Sequence, residues 1–115
     1  MQGCQLVFHT ASPFRLNVDN PQIELVDPAI LGTQNVLQAA DAIRSVKRVV
    51  LTSSCAAIYG DNSDLTTKGT GVFTEKDWNK TSSLWHKPYA YSKTMAEKRL
   101  GICTLNKINT SMLGN

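Results

Sequence analysis

The chain has 115 residues, of which 42% are hydrophobic and 18% charged, with a formal net charge of +3. That balance describes one small globular domain and excludes a disordered, collagen-like or proline-rich segment. The charge is too small to imply a nucleic-acid partner, and no apolar run approaches the roughly eighteen residues a membrane span needs.

The N-terminal stretch carries no positive charge ahead of its apolar run, so it does not read as a signal peptide. The N-x-S/T sequences at Asn79 and Asn109 are therefore taken as chance matches. Cys4, Cys55 and Cys103 are odd in number and form no C-x-x-C, which suggests neither a disulfide framework nor a zinc site. A reducing, cytoplasmic setting is expected.

In chain order, Leu6-Val7-Phe8 is a continuous apolar run followed by Thr-Ala-Ser-Pro. It predicts a short strand buried on both faces, ended before Pro13. Asp27-Pro28 is a helix-start signal, and Ile30, Thr33, Leu37, Ala40 and Ile43 recur at helical steps. These predict a helix over about residues 28–45, followed by Lys47 and Arg48 where positive charge suits the helix dipole. Gly32 interrupts this helix, which suggests close packing there. Val49-Val50-Leu51, closed by Thr52-Ser53-Ser54, predicts a second strand, so strand, helix and strand form a parallel βαβ unit.

Residues 60–87 are polar and longer than an ordinary connection, so they are expected to be functional or poorly ordered. Pro88 opens a second helix with Tyr89, Lys93, Ala96 and Leu100 on one face. Residues 103–115 are weakly patterned, with a poor third strand over 108–113.

Tyr89 and Lys93 lie four apart and face the same way on a helix. An ammonium beside a phenol favours the phenolate, and such a phenol can exchange a proton with an alkoxide near neutral pH. Ser54 ends a predicted parallel strand, where open α/β sheets place their ligands. By themselves these are weak signals, since Tyr-x-x-x-Lys arises by chance and Ser caps many helices. Cys55 has no evident base and reads as a buried small residue.

Four segments occur in order: V-F-H-T-A-S-P (7–13), D-P-A-I-L-G-T-Q-N-V-L (27–37), V-K-R-V-V-L-T-S-S (46–54) and Y-A-Y-S-K-T-M-A-E-K (89–98). Together they resemble the extended short-chain dehydrogenase/reductase family, nearest its dihydroflavonol and cinnamoyl-CoA reductase branch, over about residues 3–98. The resemblance implies an α/β fold, a partial doubly wound Rossmann-type parallel sheet lacking the first βα units, over a single incomplete NAD(P)-binding domain.

It also implies an NADP-dependent reductase (NAD remaining possible) acting on a small-molecule carbonyl. Ser54 would position that carbonyl, Tyr89 would donate the proton, and Lys93 would favour the phenolate and hold the nicotinamide ribose. Thr10, Ala11 and Ser12 match the turn that lies along the cofactor. Residues 60–87 correspond to a region flanking the substrate, where Trp78 and His86 read as packing or solvent-facing.

The glycine-rich G-x-G-x-x-G turn is absent, because Gly3 is isolated and Gly69-Thr70-Gly71 follows no predicted strand. The chain is therefore expected to begin partway through the cofactor domain. The rival expectations are a sugar-nucleotide epimerase or dehydratase of the same family, and a truncated chain without catalysis. No nucleic acid or membrane partner is expected, and the oligomeric state is left open.

Overall fold

The computed structural model describes residues 1–103 and 109–113, with side chains described through residue 101. Strand β1 (Leu6–His9) is followed by a π-helical turn (Gln22–Val26), helix α1 (Asp27–Asp41) and strand β2 (Arg48–Thr52). A 3-10 turn (Cys55–Ala57), the short helix α2 (Ser63–Thr67), helix α3 (Pro88–Cys103) and strand β3 (Asn109–Leu113) complete the order. The three strands form one parallel sheet in the order β1-β2-β3. The α/β class, the parallel βαβ unit and the third strand follow the sequence expectation; residues 104–108 and 114–115 of the tail lie outside the described residues.

The core lies between one face of the sheet and the two long helices. Leu37 and Ala40 of α1, Val46 of the connection after it, Val49 and Leu51 of β2 and Leu100 of α3 cluster there, with Val7, Val36 and Ile43 packed against them. Because side chains alternate across a strand, Val7, Val49 and Leu51 share the helix-facing side and Leu6, Phe8 and Val50 the other.

Here the first strand departs from expectation. Val7 is half-buried and His9 buried, but Leu6 is exposed and Phe8 is 59% exposed. The run is apolar throughout, yet β1 is an edge strand covered on one face only. An uninterrupted apolar run encodes affinity for two layers; it does not supply the second layer.

The first helix also starts earlier and stops sooner than expected. Asn20 Oδ1 accepts from the Ile23 amide, and Glu24 Oε1 accepts from the Asn20 amide at 2.8 Å, a reciprocal arrangement like a capping box. Pro21 follows, so the helical path begins before Asp27. Asp27 lies inside that path, where Gln22 donates to its carboxylate. The buried face runs Ala29, Thr33, Leu37, Ala40, with Ala29 in the place expected for Ile30. Gly32 does not serve close packing: a Cβ built there meets nothing within 4 Å.

The polar stretch between residues 60 and 87 is held by side chain–backbone bonds. Asn79 is 4% exposed and donates from Nδ2 to the Ala56 carbonyl at 2.7 Å. Its Oδ1 accepts from the amides of Thr81 and Ser82. Asp64 accepts from the amides of Gly60 and Asp61 and from the Thr81 hydroxyl, which together hold its carboxyl below the usual range. Asp61 pairs with both His86 and Lys87, tying the start of this stretch to the residues before α3. Lys87 takes a left-handed conformation, φ 54°, directly before Pro88, whose fixed φ suits the first helical position.

Candidate active site

Parallel pairing places His9 opposite Leu51, so residues 10–12 and 52–54 leave the sheet together at its carboxyl edge. α3 lies across this edge. A small, largely enclosed cavity forms between them, lined by Ala11, Ser12, Thr33, Thr52, Ser53 and Lys93 among others. Three of the residues expected from sequence, Ala11, Ser12 and Lys93, are thus brought together. Thr10 is exposed beside them and does not line the cavity. The Ser12 hydroxyl is buried with no hydrogen-bond partner among the described residues.

Tyr89 and Lys93 share one face of α3, as their spacing predicts. The Lys93 ammonium lies 5.9 Å from the centre of the Tyr89 ring. Lys93 is only 8% exposed, and burial pushes its pKa down because the charged form loses its water. No carboxylate pairs with it among the described ion pairs. The opposite flank of Tyr89 meets Phe14 edge-on, with ring centres 4.8 Å apart and an interplanar angle of 88°. Tyr89 thus contacts both an ammonium and an aromatic ring, the aromatic pair being worth about 0.5–1.5 kcal/mol.

Beneath Lys93 sits His9, buried, with Nε2 3.5 Å from the Thr33 hydroxyl. Burial and the nearby Lys93 charge both push the His9 pKa down. His9 was legible in principle, since it repeats the helix-facing side of Val7 at a two-residue step. Phe14 had no comparable signal.

Ser54 stands at the entry to the 3-10 turn in extended backbone, and its Oγ accepts from the Ala56 amide at 3.2 Å. Capping and a chemical role are compatible here. The cap uses a lone pair and leaves the hydroxyl proton free to be donated. The 3-10 turn packs against α3. The preceding Ser53 is buried and donates to Glu97, on α3 one turn beyond Lys93.

Cys55 is exposed, not the buried residue its small size suggested. It follows the strand end, where the chain turns outward into the 3-10 helix. Trp78 is partly exposed with the Lys98 ammonium 5.5 Å above its ring, and His86 is exposed in its pair with Asp61. Among the described residues no group of His, Cys, Asp and Glu could hold a metal ion, and no helix is long and apolar enough to cross a membrane.

The sequence profile described as Male sterility protein, an NAD-binding domain, matches residues 1–108. A cinnamoyl-CoA reductase of Medicago truncatula is 48% identical over 102 residues, covering 85% of this chain and 30% of the relative. A (2S)-flavan-3-ol-forming anthocyanidin reductase of Vitis vinifera is 43% identical over 102 residues, covering 84% of this chain and 29% of the relative. Among solved structures, Gre2 of Candida albicans in complex with NADPH superimposes with a TM-score of 0.77 at 36% identity, over 96% of this chain and 34% of that one. The chain thus spans about a third of the length of the proteins it matches.

Proposed function

The chain belongs to the extended short-chain dehydrogenase/reductase family, in the branch of dihydroflavonol and cinnamoyl-CoA reductases, and from that membership we propose that it carries the catalytic and nicotinamide-side residues of an NADP-dependent carbonyl reductase. The observation that carries this reading is that Tyr89 and Lys93 share one face of α3 and that Lys93 lines one cavity with Ala11 and Ser12 at the carboxyl edge of the sheet. Among the described residues Lys93 has no carboxylate partner, and the Ser12 hydroxyl is buried without a hydrogen-bond partner.

Lys93 and Ser12 carry donors of the kind a hydroxyl-rich nicotinamide ribose takes, beside a cavity itself no larger than about one water molecule. Lys93 would donate to the ribose hydroxyls and Ser12 would line the same wall. The 115 residues contain no glycine-rich turn for the pyrophosphate, so the fit is to the nicotinamide half alone. When bound, NADPH supplies a hydride to a carbonyl carbon. The chain's own residues then manage the oxygen. Ser54 would keep its proton and donate a hydrogen bond through it, orienting the carbonyl. The Tyr89 hydroxyl gives its proton to that oxygen as charge builds on it, a general-acid role worth typically 10²–10⁴-fold. The ring contacts with Phe14 and Lys93 would help to hold the Tyr89 ring in place.

The test joins this chain to the flanking segments of a reductase relative and follows carbonyl-dependent NADPH oxidation, with a UDP-sugar as the competing substrate class. Tyr89→Phe keeps the ring and both its contacts but removes the acid, and turnover is expected to fall by at least about 10²-fold with NADPH affinity retained. Undiminished turnover in Tyr89→Phe, or conversion of the UDP-sugar alone, would overturn the assignment.

A further inference from the structure

The Tyr-x-x-x-Lys face of α3 continues for another turn. Tyr89, Lys93 and Glu97 stand at successive four-residue steps, so one stripe of the helix carries a phenol, an ammonium and a carboxylate. The first two are assigned above. Glu97 accepts the hydroxyl proton of Ser53, which is only 6% exposed. Ser53 lies one residue beyond β2 and two beyond Leu51, and it lines the same cavity as Leu51 and Lys93. It is the last side chain fastened to α3 before the chain reaches Ser54 and turns into the 3-10 helix.

We infer that Glu97 is a positioning residue: through Ser53 it pins the carboxyl end of β2 to α3 and so fixes Ser54 relative to the helix that carries Tyr89 and Lys93. The alternative anchors are weak. Ser54 itself bonds only forward, to the Ala56 amide, and this bond fixes the turn's internal shape without fixing where the turn sits. Asn79 holds the far side of the turn through the Ala56 carbonyl and the Ala57 carbonyl, but Asn79 belongs to the long polar stretch and not to α3. The Ser53–Glu97 bond ties this strand end directly to the helix. A hydroxyl donating to an ionised carboxylate forms a short, strong bond, well suited to hold two elements in a fixed relation. The assignment rests on the roles proposed for Ser54, Tyr89 and Lys93; the pin itself is a physical claim that can be measured without turnover.

Amide hydrogen exchange on the 115-residue chain provides that measurement. The Ala56 and Ala57 amides, bonded to the Ser54 hydroxyl and carbonyl, report the turn, and the Leu37 amide in mid-α1 reports global opening. In Glu97→Ala and in Ser53→Ala, exchange at Ala56 and Ala57 is expected to accelerate about tenfold or more relative to Leu37, and the double variant is expected to be no faster than either single one. Glu97→Gln keeps an acceptor at the same reach and is expected to restore slow exchange at the turn, which a loss of bulk packing would not predict. Equal acceleration at Leu37 in all variants, additive effects in the double variant, or a Glu97→Gln chain as fast as Glu97→Ala would each overturn the pin. A reductase chimera inactive in every form would count against the proposed function and leave the exchange result standing.

Discussion

Replacing Gly60 with alanine is expected to be among the most damaging single-methyl additions in the chain. A Cβ at this position would lie 2.2 Å from the Thr81 hydroxyl oxygen, 2.7 Å from Asn79 Oδ1 and 3.1 Å from the Ser82 amide nitrogen. The Thr81 hydroxyl can swing away, but only by giving up its bond to Asp64. Asn79 cannot swing, because its carboxamide is bonded on both ends and buried. One lost bond costs about 0.5–1.5 kcal/mol and overpacking about 1–3 kcal/mol, so the total comes to about 2–4 kcal/mol. Gly32→Ala makes the paired control. It sits inside α1 with open space where its methyl would go, and exchanging glycine for alanine in a helix interior gains about 0.5–1 kcal/mol. Urea titration followed by tryptophan fluorescence reads both variants, since Trp78 and Trp85 lie in the stretch that Gly60 anchors. With an m-value of about 1–2 kcal/mol/M, the midpoint should drop by about 1–4 M for Gly60→Ala and rise by about 0.3–1 M for Gly32→Ala. A Gly60→Ala midpoint equal to that of the parent chain would show that the contact around Asn79 is looser than described.

Three further outcomes follow from the site. Lys93→Met removes a charge whose burial is uncompensated, so the chain should melt at a higher temperature while a reductase chimera carrying it loses both turnover and NADPH affinity; a lower melting temperature would show that Lys93 is satisfied in the folded chain. His9 is held below its ordinary pKa of 6.5, so the folded chain binds this proton less readily than the unfolded one: the full stability is present above 6.5 and falls as the pH drops through the lowered folded value. His9→Gln should flatten that acid limb, and an unchanged slope in a pH series of urea melts would exclude His9 as its source. The 115-residue chain by itself should show no saturable micromolar binding of NADPH by fluorescence titration, because it has no glycine turn to receive the pyrophosphate; tight binding to a monomer would show that the Lys93 and Ser12 side suffices.

The elements that depend on local period were legible in the sequence. The β-branched run at Val49–Leu51 and the Tyr89–Lys93–Ala96–Leu100 face fixed a strand and a helix, and their order fixed the parallel pairing. What was not legible depended on partners distant in sequence. The apolar character of Leu6 and Phe8 could not reveal that only one side of β1 is covered. The Asn20–Glu24 cap was readable as a signal but was eclipsed by the stronger Asp27-Pro28 pair. The order within residues 60–87 comes from Asp64 and Asn79 reaching across 17 and 23 residues to Thr81 and Ala56, contacts with no period to detect. Within the site, Tyr89 and Lys93 met as their spacing required, whereas Phe14 reached Tyr89 through the path of a loop.

The burial of Asn79 has a consequence for covalent modification. Asn79-Lys80-Thr81 satisfies the acceptor pattern for N-linked sugars, and the atom that would be glycosylated is Nδ2. In the folded chain that same nitrogen donates to the Ala56 carbonyl, two residues beyond Ser54. The sugar and the fold compete for one side chain. Nδ2 of a glycosylated Asn79 keeps one N–H, but a residue only 4% exposed leaves no room for a sugar. A chain glycosylated there before folding could not bury Asn79 as the fold requires, and a chain that folds first presents no accessible acceptor at this position.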